Sequence, residues 1–271
     1  MDSHKLYDIL KNFPSSGKMP ALFIGHGNPM NAINKNKFSK SWIDLGKQLP
    51  KPNAILSISA HWITPGEIKV TAMESPKTIH DFYGFPEKLF QQEYPAPGAT
   101  EYAAQTIDLI QRAHVQTDHN WGLDHGTWSV LLRMYPDANI PVFQLSLDYS
   151  KPPEYHYELA RDLKTLRNKG VLIIGSGNMV HNLRTMRMDG EPYAWAIEFD
   201  QTITAFINDR DFKSAVEFQK LENLAGLAQP THDHYLPLIY ILALADNQSE
   251  IAFFNEDFDL SSISMRSFII N

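Results

Sequence analysis

The chain has 271 residues, 43% of them hydrophobic and 20% charged, enough apolar material for one sizeable core. Its formal net charge of −7 and lack of a basic tract argue against nucleic acid and anionic membrane as partners. It contains no cysteine, which excludes disulfides and thiolate metal sites. A transition metal must then be held by imidazole and carboxylate, and the eleven histidines are the residues to sort.

Residues 1–18 read as a short amphipathic helix and a Pro/Ser/Gly loop, an N-terminal extension without the continuous apolar segment of a secretory signal. No apolar run reaches the ~20 residues that a membrane helix needs. A cytoplasmic location is expected. The short apolar run Ala21-Leu22-Phe23-Ile24, bounded by Pro20 and Gly25, predicts a buried strand. That strand delivers His26 into a glycine-flanked turn closed by Asn28-Pro29. Helical spacing follows over 36–49, with Phe38, Trp42, Leu45 and Leu49 on one stripe. A second buried strand over 54–60 ends at His61-Trp62.

Residues 68–73 suit an outer strand. The stretch 79–98 is rich in aromatics, Pro and Gly, and suits a loop that shapes a pocket. A helix is expected over 99–114, capped by Thr100. Asp124-His125-Gly126 forms a tight turn into an apolar helix over 128–135, and a strand follows at 141–147. Residues 153–169 are helical with a stop at Gly170. A third buried strand, 171–177, opens into the segment that carries His181 and Asn182. A helix is expected over 193–218, with Trp195, Ile197, Phe199, Ile203 and Phe206 as core positions. Thr231-His232-Asp233-His234 precedes another apolar helix, and 251–270 supplies one or two edge strands. Strands alternate with helices throughout. The fold class is therefore α/β: a single three-layer domain over 1–271, with a central mostly parallel or mixed sheet flanked by helices.

The histidines sort by position. His26, His61 and His181 follow strands, His234 sits just before a helix, and His125 lies in its tight turn. Strand C-terminal ends converge on one edge of a parallel sheet, where ligands bind, so these residues can meet despite their separation in sequence. Imidazole is a good ligand for zinc, iron and similar metals. Of the His-Asp-His pair, only one ring can enter the site at a helix start, and His234 is chosen over His232. Asp233 is expected to point away. His4, His114, His119 and His156 are read as solvated and His80 as a lesser candidate for the pocket. Gly175 and Gly177 are read as clearance for His181. Ser59 and Ser176 lack a G-x-S-x-G elbow, against a serine hydrolase.

The set GHGNPM, SAHW, TIHDFYGFP, YPAPG, DHGTWSVL, GSGNMVHNLR and HYLPL resembles the class III extradiol ring-cleavage dioxygenases, and more narrowly their 4,5-DOPA dioxygenase extradiol group. The resemblance runs from about Pro20 to the C-terminus. It implies a single α/β domain and oxygen-dependent opening of a catechol ring beside one hydroxyl. By motif, it implies His26, His61 and His234 as metal ligands. His181 matches an acid/base histidine of the wider superfamily that this narrower group counts among the ligands, and His125 matches a histidine beside the substrate. One divalent metal ion is implied: zinc in an isolated sample and iron for ring cleavage, because zinc cannot change oxidation state. The partners implied are a small aromatic diol and dioxygen. Trp62, Phe82, Tyr83, Phe85 and Tyr235 are the candidates for an aromatic wall, with core packing as the competing role for each.

Two other classes compete. A zinc-dependent hydrolase needs an open zinc position and a carboxylate base near its water, and no H-E-x-x-H is present. A structural zinc module would use closely spaced, Cys-rich ligands rather than histidines spread over 200 residues.

Overall fold

The computed structural model describes residues 17–271 together with Leu6 and Leu10, so most of the expected N-terminal helix, and His4, lie outside the described residues. The strands in chain order are β1 (Ala21–Gly25), β2 (Ala54–Ser59), β3 (Ile68–Thr71), β4 (Val115–Asp118), β5 (Val142–Gln144), β6 (Val171–Gly177), β7 (Ile251–Phe254), β8 (Phe258–Asp259), β9 (Ile263–Ser264) and β10 (Ser267–Ile270). Six of them form one sheet in the order β5-β2-β6-β1-β10-β7. β5, β2, β6 and β1 are parallel, whereas β10 runs antiparallel to both β1 and β7.

Both faces of this sheet are covered, which is why its strands read as continuous apolar runs rather than alternating ones. Ala21, Phe23, Leu56, Ile58, Val171 and Ile173 pack on one side with the helices Pro153–Ala160, Ala194–Asn208 and Leu236–Leu242. Leu22, Ile24, Ile55, Leu172 and Ile174 pack on the other with Lys37–Gln48 and His125–Met134. Successive residues of a strand face opposite layers, so the three-layer arrangement follows from these runs. The Lys37–Gln48 helix starts where Asn36 and Ser39 cap each other reciprocally. The chain leaves β1 toward one layer and the neighbouring β6 toward the other, which opens a crevice beyond the ends of these two strands.

Several expectations are corrected. β10 is an interior strand, and only β7 of the C-terminal pair lies at the edge. β4 was missed: Val115 is its only buried residue, so it carries no apolar run, and it pairs with β3 in a separate two-stranded sheet. Thr100 begins its helix instead of capping it, and that helix ends at Leu109. The helix expected at 128 begins at His125, because the Asp124 carboxylate accepts the Thr127 N–H and caps it. The long helix stops at Asn208, before Arg210 at φ 58°. Its core stripe is Ala196, Phe199, Ile203 and Ile207, with Trp195, Ile197 and Phe206 only partly buried. Gly175 and Gly177 clear space for the chain at His234–Pro237 rather than for His181. A Cβ at Gly177 would lie 2.2 Å from the His234 carbonyl oxygen, and one at Gly175 2.5 Å from that of Pro237.

Candidate active site

His26 continues the β1–β6 ladder, its N–H donating to the Gly177 carbonyl at 3.1 Å. Its Nδ1 lies 3.0 Å from Ser176 Oγ, whose hydroxyl hydrogen is directed at the Gly126 carbonyl 2.5 Å away. The serine oxygen must then accept from Nδ1–H, which leaves the lone pair of His26 on Nε2. His61 follows β2, and its backbone N–H donates to Ser59 Oγ at 3.2 Å. Ser59 in turn donates to the buried Asp124 carboxylate at 2.6 Å. Gln144 donates to the other oxygen of Asp124 at 2.7 Å. The Nε2 atoms of His26 and His61 face each other at 3.1 Å.

His125 opens its helix against Asp81, which accepts both the His125 backbone N–H (2.8 Å) and, through its other oxygen, Nδ1 (3.0 Å). His61 Nδ1 lies 3.4 Å from that same oxygen. His234 has its Nδ1 2.6 Å from Asp233 Oδ2. Thus the Nδ1 of each of His26, His125 and His234 is hydrogen-bonded to an oxygen outside the cluster, the arrangement that frees Nε2 for a ligand, and that of His61 has the Asp81 charge beside it. Ring centroids of His26, His61 and His234 are 5.0–5.3 Å apart. Ring nitrogens of His26, His61 and His125 lie within 4.8 Å of one another. His181 reaches the group by stacking on His234, centroids 3.5 Å apart.

The electrostatics favour neutral rings. Burial holds His26, His61 and His181 well below the ordinary imidazole value, and the neighbouring histidines push in the same direction. Burial alone would raise the carboxyls of Asp81 and Asp233. The hydrogen bond and charge of His125 keep the first below its usual range, and those of His234 keep the second well below. Asp124 is the reverse case, raised by burial and by the Asp81 charge.

This donor set fits a single divalent ion. Two nitrogens each about 2.1 Å from one ion, at tetrahedral or octahedral angles, are about 3.0–3.4 Å apart. The His26–His61 separation of 3.1 Å falls in that span. Neutral imidazoles with their second nitrogens tied outward are the ligating form. The His181 ring lies parallel to that of His234, with 7° between planes.

The aromatic candidates separate. Phe82 stands edge-on to His125 at 5.6 Å and Phe85 packs edge-on to Phe82 at 5.4 Å. Trp62 is buried and stacked on Trp121, while Tyr83 is 92% exposed. Tyr235 is not a wall of the site: it is buried against Phe199 and Phe218, its hydroxyl donating to the Ala215 carbonyl. Its apolar surroundings in the helical layer outweigh its adjacency to His234. His80 packs among Phe82, Phe90 and Trp128. His114 and His119 are exposed as expected, but His156 is fully buried, bonded to Tyr240 and to the Asp148 carbonyl. His232 stacks on Tyr149, away from His234. Asp233 lies on the outer side of His234, its carboxylate 2.6 Å from Nδ1 and outside the cluster of rings. Sequence reasoning missed Asp81 and Ser176. The available signal for Asp81 was one acid set between a histidine and an aromatic, in His80-Asp81-Phe82.

Residues 20–266 match the family model described as the catalytic LigB subunit of aromatic ring-opening dioxygenase. The chain is 46% identical to a 4,5-DOPA dioxygenase extradiol of Escherichia coli K12, over 93% of this chain and 95% of that protein. It is 36% identical to the protein of the same name from Beta vulgaris, over 91% and 94%. A crystal structure of an uncharacterized Escherichia coli K12 protein superposes with a TM-score of 0.80 at 41% identity, covering 94% of this chain and all of that one. A buried imidazole cluster at the parallel edge of an α/β sheet, with a family match and close relatives covering nearly the whole chain, places it among the extradiol aromatic ring-opening dioxygenases of the LigB family.

Proposed function

We propose that the chain, as a single catalytic domain, opens the ring of a small DOPA-like catechol with dioxygen. The cleaved carbon–carbon bond lies next to one hydroxyl, and both oxygen atoms enter the product. The ion is held by His26, His61 and His234, with iron(II) as the metal for ring cleavage and zinc a ready occupant of the isolated protein. When bound, the metal supplies Lewis acidity toward the catechol hydroxyls and, as iron, a path for electrons to dioxygen. His125 takes a catechol proton on Nε2, since Asp81 holds its Nδ1. Its contact with Phe82 turns it toward the aromatic segment, where a flat ring would lie. Phe82 and Phe85 supply the wall, Trp62, stacked on Trp121, adds to it beside His61, and Tyr83 lies at the rim. His181, behind His234, is the second proton carrier and closes on zinc only if its ring swings.

The observation that carries this reading is the pair of Nε2 atoms at 3.1 Å, with His26 tied on its outer side by Ser176 and the Asp81 carboxylate 3.4 Å from the outer nitrogen of His61. It also weighs against a hydrolase, because Asp81 and Asp233 are both engaged on outer ring nitrogens and neither is free as a base. The test is anaerobic reconstitution with iron(II) or zinc(II), followed by oxygen uptake with L-DOPA and a panel of catechols. One dioxygen consumed per catechol with iron, and none with zinc, is expected. Ester or amide hydrolysis by the zinc form without oxygen uptake by the iron form would overturn it.

A further inference from the structure

We propose that Asp81 is a positioning residue for His61 and His125 together, one carboxylate fixing the tautomer of both rings. It deepens the reading above and rests on it for the roles of the two histidines. Asp81 Oδ1 accepts the His125 backbone N–H at 2.8 Å, which fixes the carboxylate plane. Its Oδ2 then lies 3.0 Å from His125 Nδ1 and 3.4 Å from His61 Nδ1. The two rings are packed together, centroids 3.9 Å apart. An ionised carboxylate only accepts: the His125 nitrogen bonded to it carries a hydrogen, and its negative charge favours a hydrogen over a lone pair on the His61 nitrogen beside it. A neutral imidazole has one such hydrogen, and both Nε2 atoms are left with lone pairs.

For His61 this outcome is not the one its other neighbour favours. Ser176 already leaves a lone pair on His26 Nε2, 3.1 Å from His61 Nε2. An N–H on His61 Nε2 would make a hydrogen bond there. Asp81 opposes that tautomer and sets two lone pairs face to face, an arrangement that a cation relieves. The carboxylate thereby readies the site before any metal arrives, and couples a ligand ring to the ring that handles protons.

Asp81→Asn separates this role from simple support of the loop. The amide oxygen must stay on the His125 backbone N–H, so the NH2 group, a donor, faces the two ring nitrogens. Both rings should switch to the Nε2–H form. The primary measurement is long-range 1H–15N correlation of the histidine rings in metal-free protein, with zinc(II) dissociation constants beside it. Wild type should show His61 and His125 in the Nδ1–H form. Asp81→Asn should show the Nε2–H form with zinc held about 10- to 100-fold more weakly. Asp81→Glu, which keeps an acceptor, should retain the wild-type tautomers and serves if Asp81→Asn loses its far-UV circular dichroism. An Nε2–H form in wild type, unchanged tautomers in Asp81→Asn, or lost tautomers in a folded Asp81→Glu would overturn the proposal. None of these readouts uses a catechol, so they stand or fall separately from the oxygenase activity.

Discussion

His181 and His234 lie face to face, ring centroids 3.5 Å apart and planes only 7° from parallel. An imidazole lone pair lies in the plane of its ring, so an ion in the plane of one ring is well out of the plane of the other. His234 has its Nδ1 on the Asp233 carboxylate, and its ring centroid lies 5.3 and 5.0 Å from those of His26 and His61. Under the ligand set proposed above, His181 stands back from the ion and acts as a proton carrier.

His181→Ala should accordingly retain iron(II) within a few-fold of the wild-type affinity and lose much of the turnover, while zinc binding weakens measurably as a fourth nitrogen disappears. Iron and zinc dissociation constants for the two proteins, beside oxygen uptake, decide this. Equal weakening of both metals with ring cleavage intact would make His181 an ordinary ligand.

His26→Ala should empty the site. Its Nε2 is central to the cluster, and its outer bond to Ser176 ties β1 to β6 at that point. Metal analysis after dialysis is the measurement, and full occupancy in the variant contradicts the role given to His26.

His125→Ala should keep the metal and slow turnover by roughly 10²–10⁴-fold, the contribution of a positioned acid or base. Because a His125 nitrogen lies within 4.8 Å of its partners on His26 and His61, metal content must be measured in the same sample. Metal lost along with activity would move His125 into the ligand set.

His156 gives the fold its own sensitivity to acid. Burial pushes its imidazole down to about 4, opposed by the Asp148 backbone and reinforced by His232, against 6.5 in the unfolded chain. The unfolded state then binds the extra proton first. The neutral ring's contribution is complete above about pH 6.5 and is lost as pH falls toward 4, roughly 3 kcal/mol in all. His156→Gln should flatten that part of the urea-stability profile between pH 7 and 4.5 in metal-free protein. A variant profile parallel to wild type would show that other groups dominate.

Gly177→Ala should cost about 1–3 kcal/mol, since its methyl would lie 2.2 Å from the His234 carbonyl and the neighbour is backbone. The same displacement moves His234, so metal should be lost with stability. A urea midpoint and metal content both equal to wild type would show that the segment gives way easily.

The fold was legible where burial on two faces writes itself as an apolar run. β1, β2 and β6, and the histidines that follow them, were all readable for that reason. β4 is exposed at Gln116 and Thr117, and its sequence carries no such mark. The site was legible as far as its rings. Which oxygen holds each outer nitrogen depends on contacts between residues as distant as Ser176 and His26, or Asp81 and His125, and no spacing rule spans them. His156 was misread because its local sequence is polar, whereas its burial is set by the helix Leu236–Leu242 packed on it through Tyr240.

The interior place of β10 governs when the site can exist during synthesis. Ala21 on β1 is paired with Ile173 on one side and Ile270 on the other. The strand that carries His26 therefore leaves the ribosome with neither sheet neighbour made, and it acquires the second only when residues 267–270 have emerged. Such non-local pairing makes folding slow, because the long intervening loop must close before its contacts form. Losing the final strand would strip β1 of half its ladder, and with it half the support of the turn that carries His26.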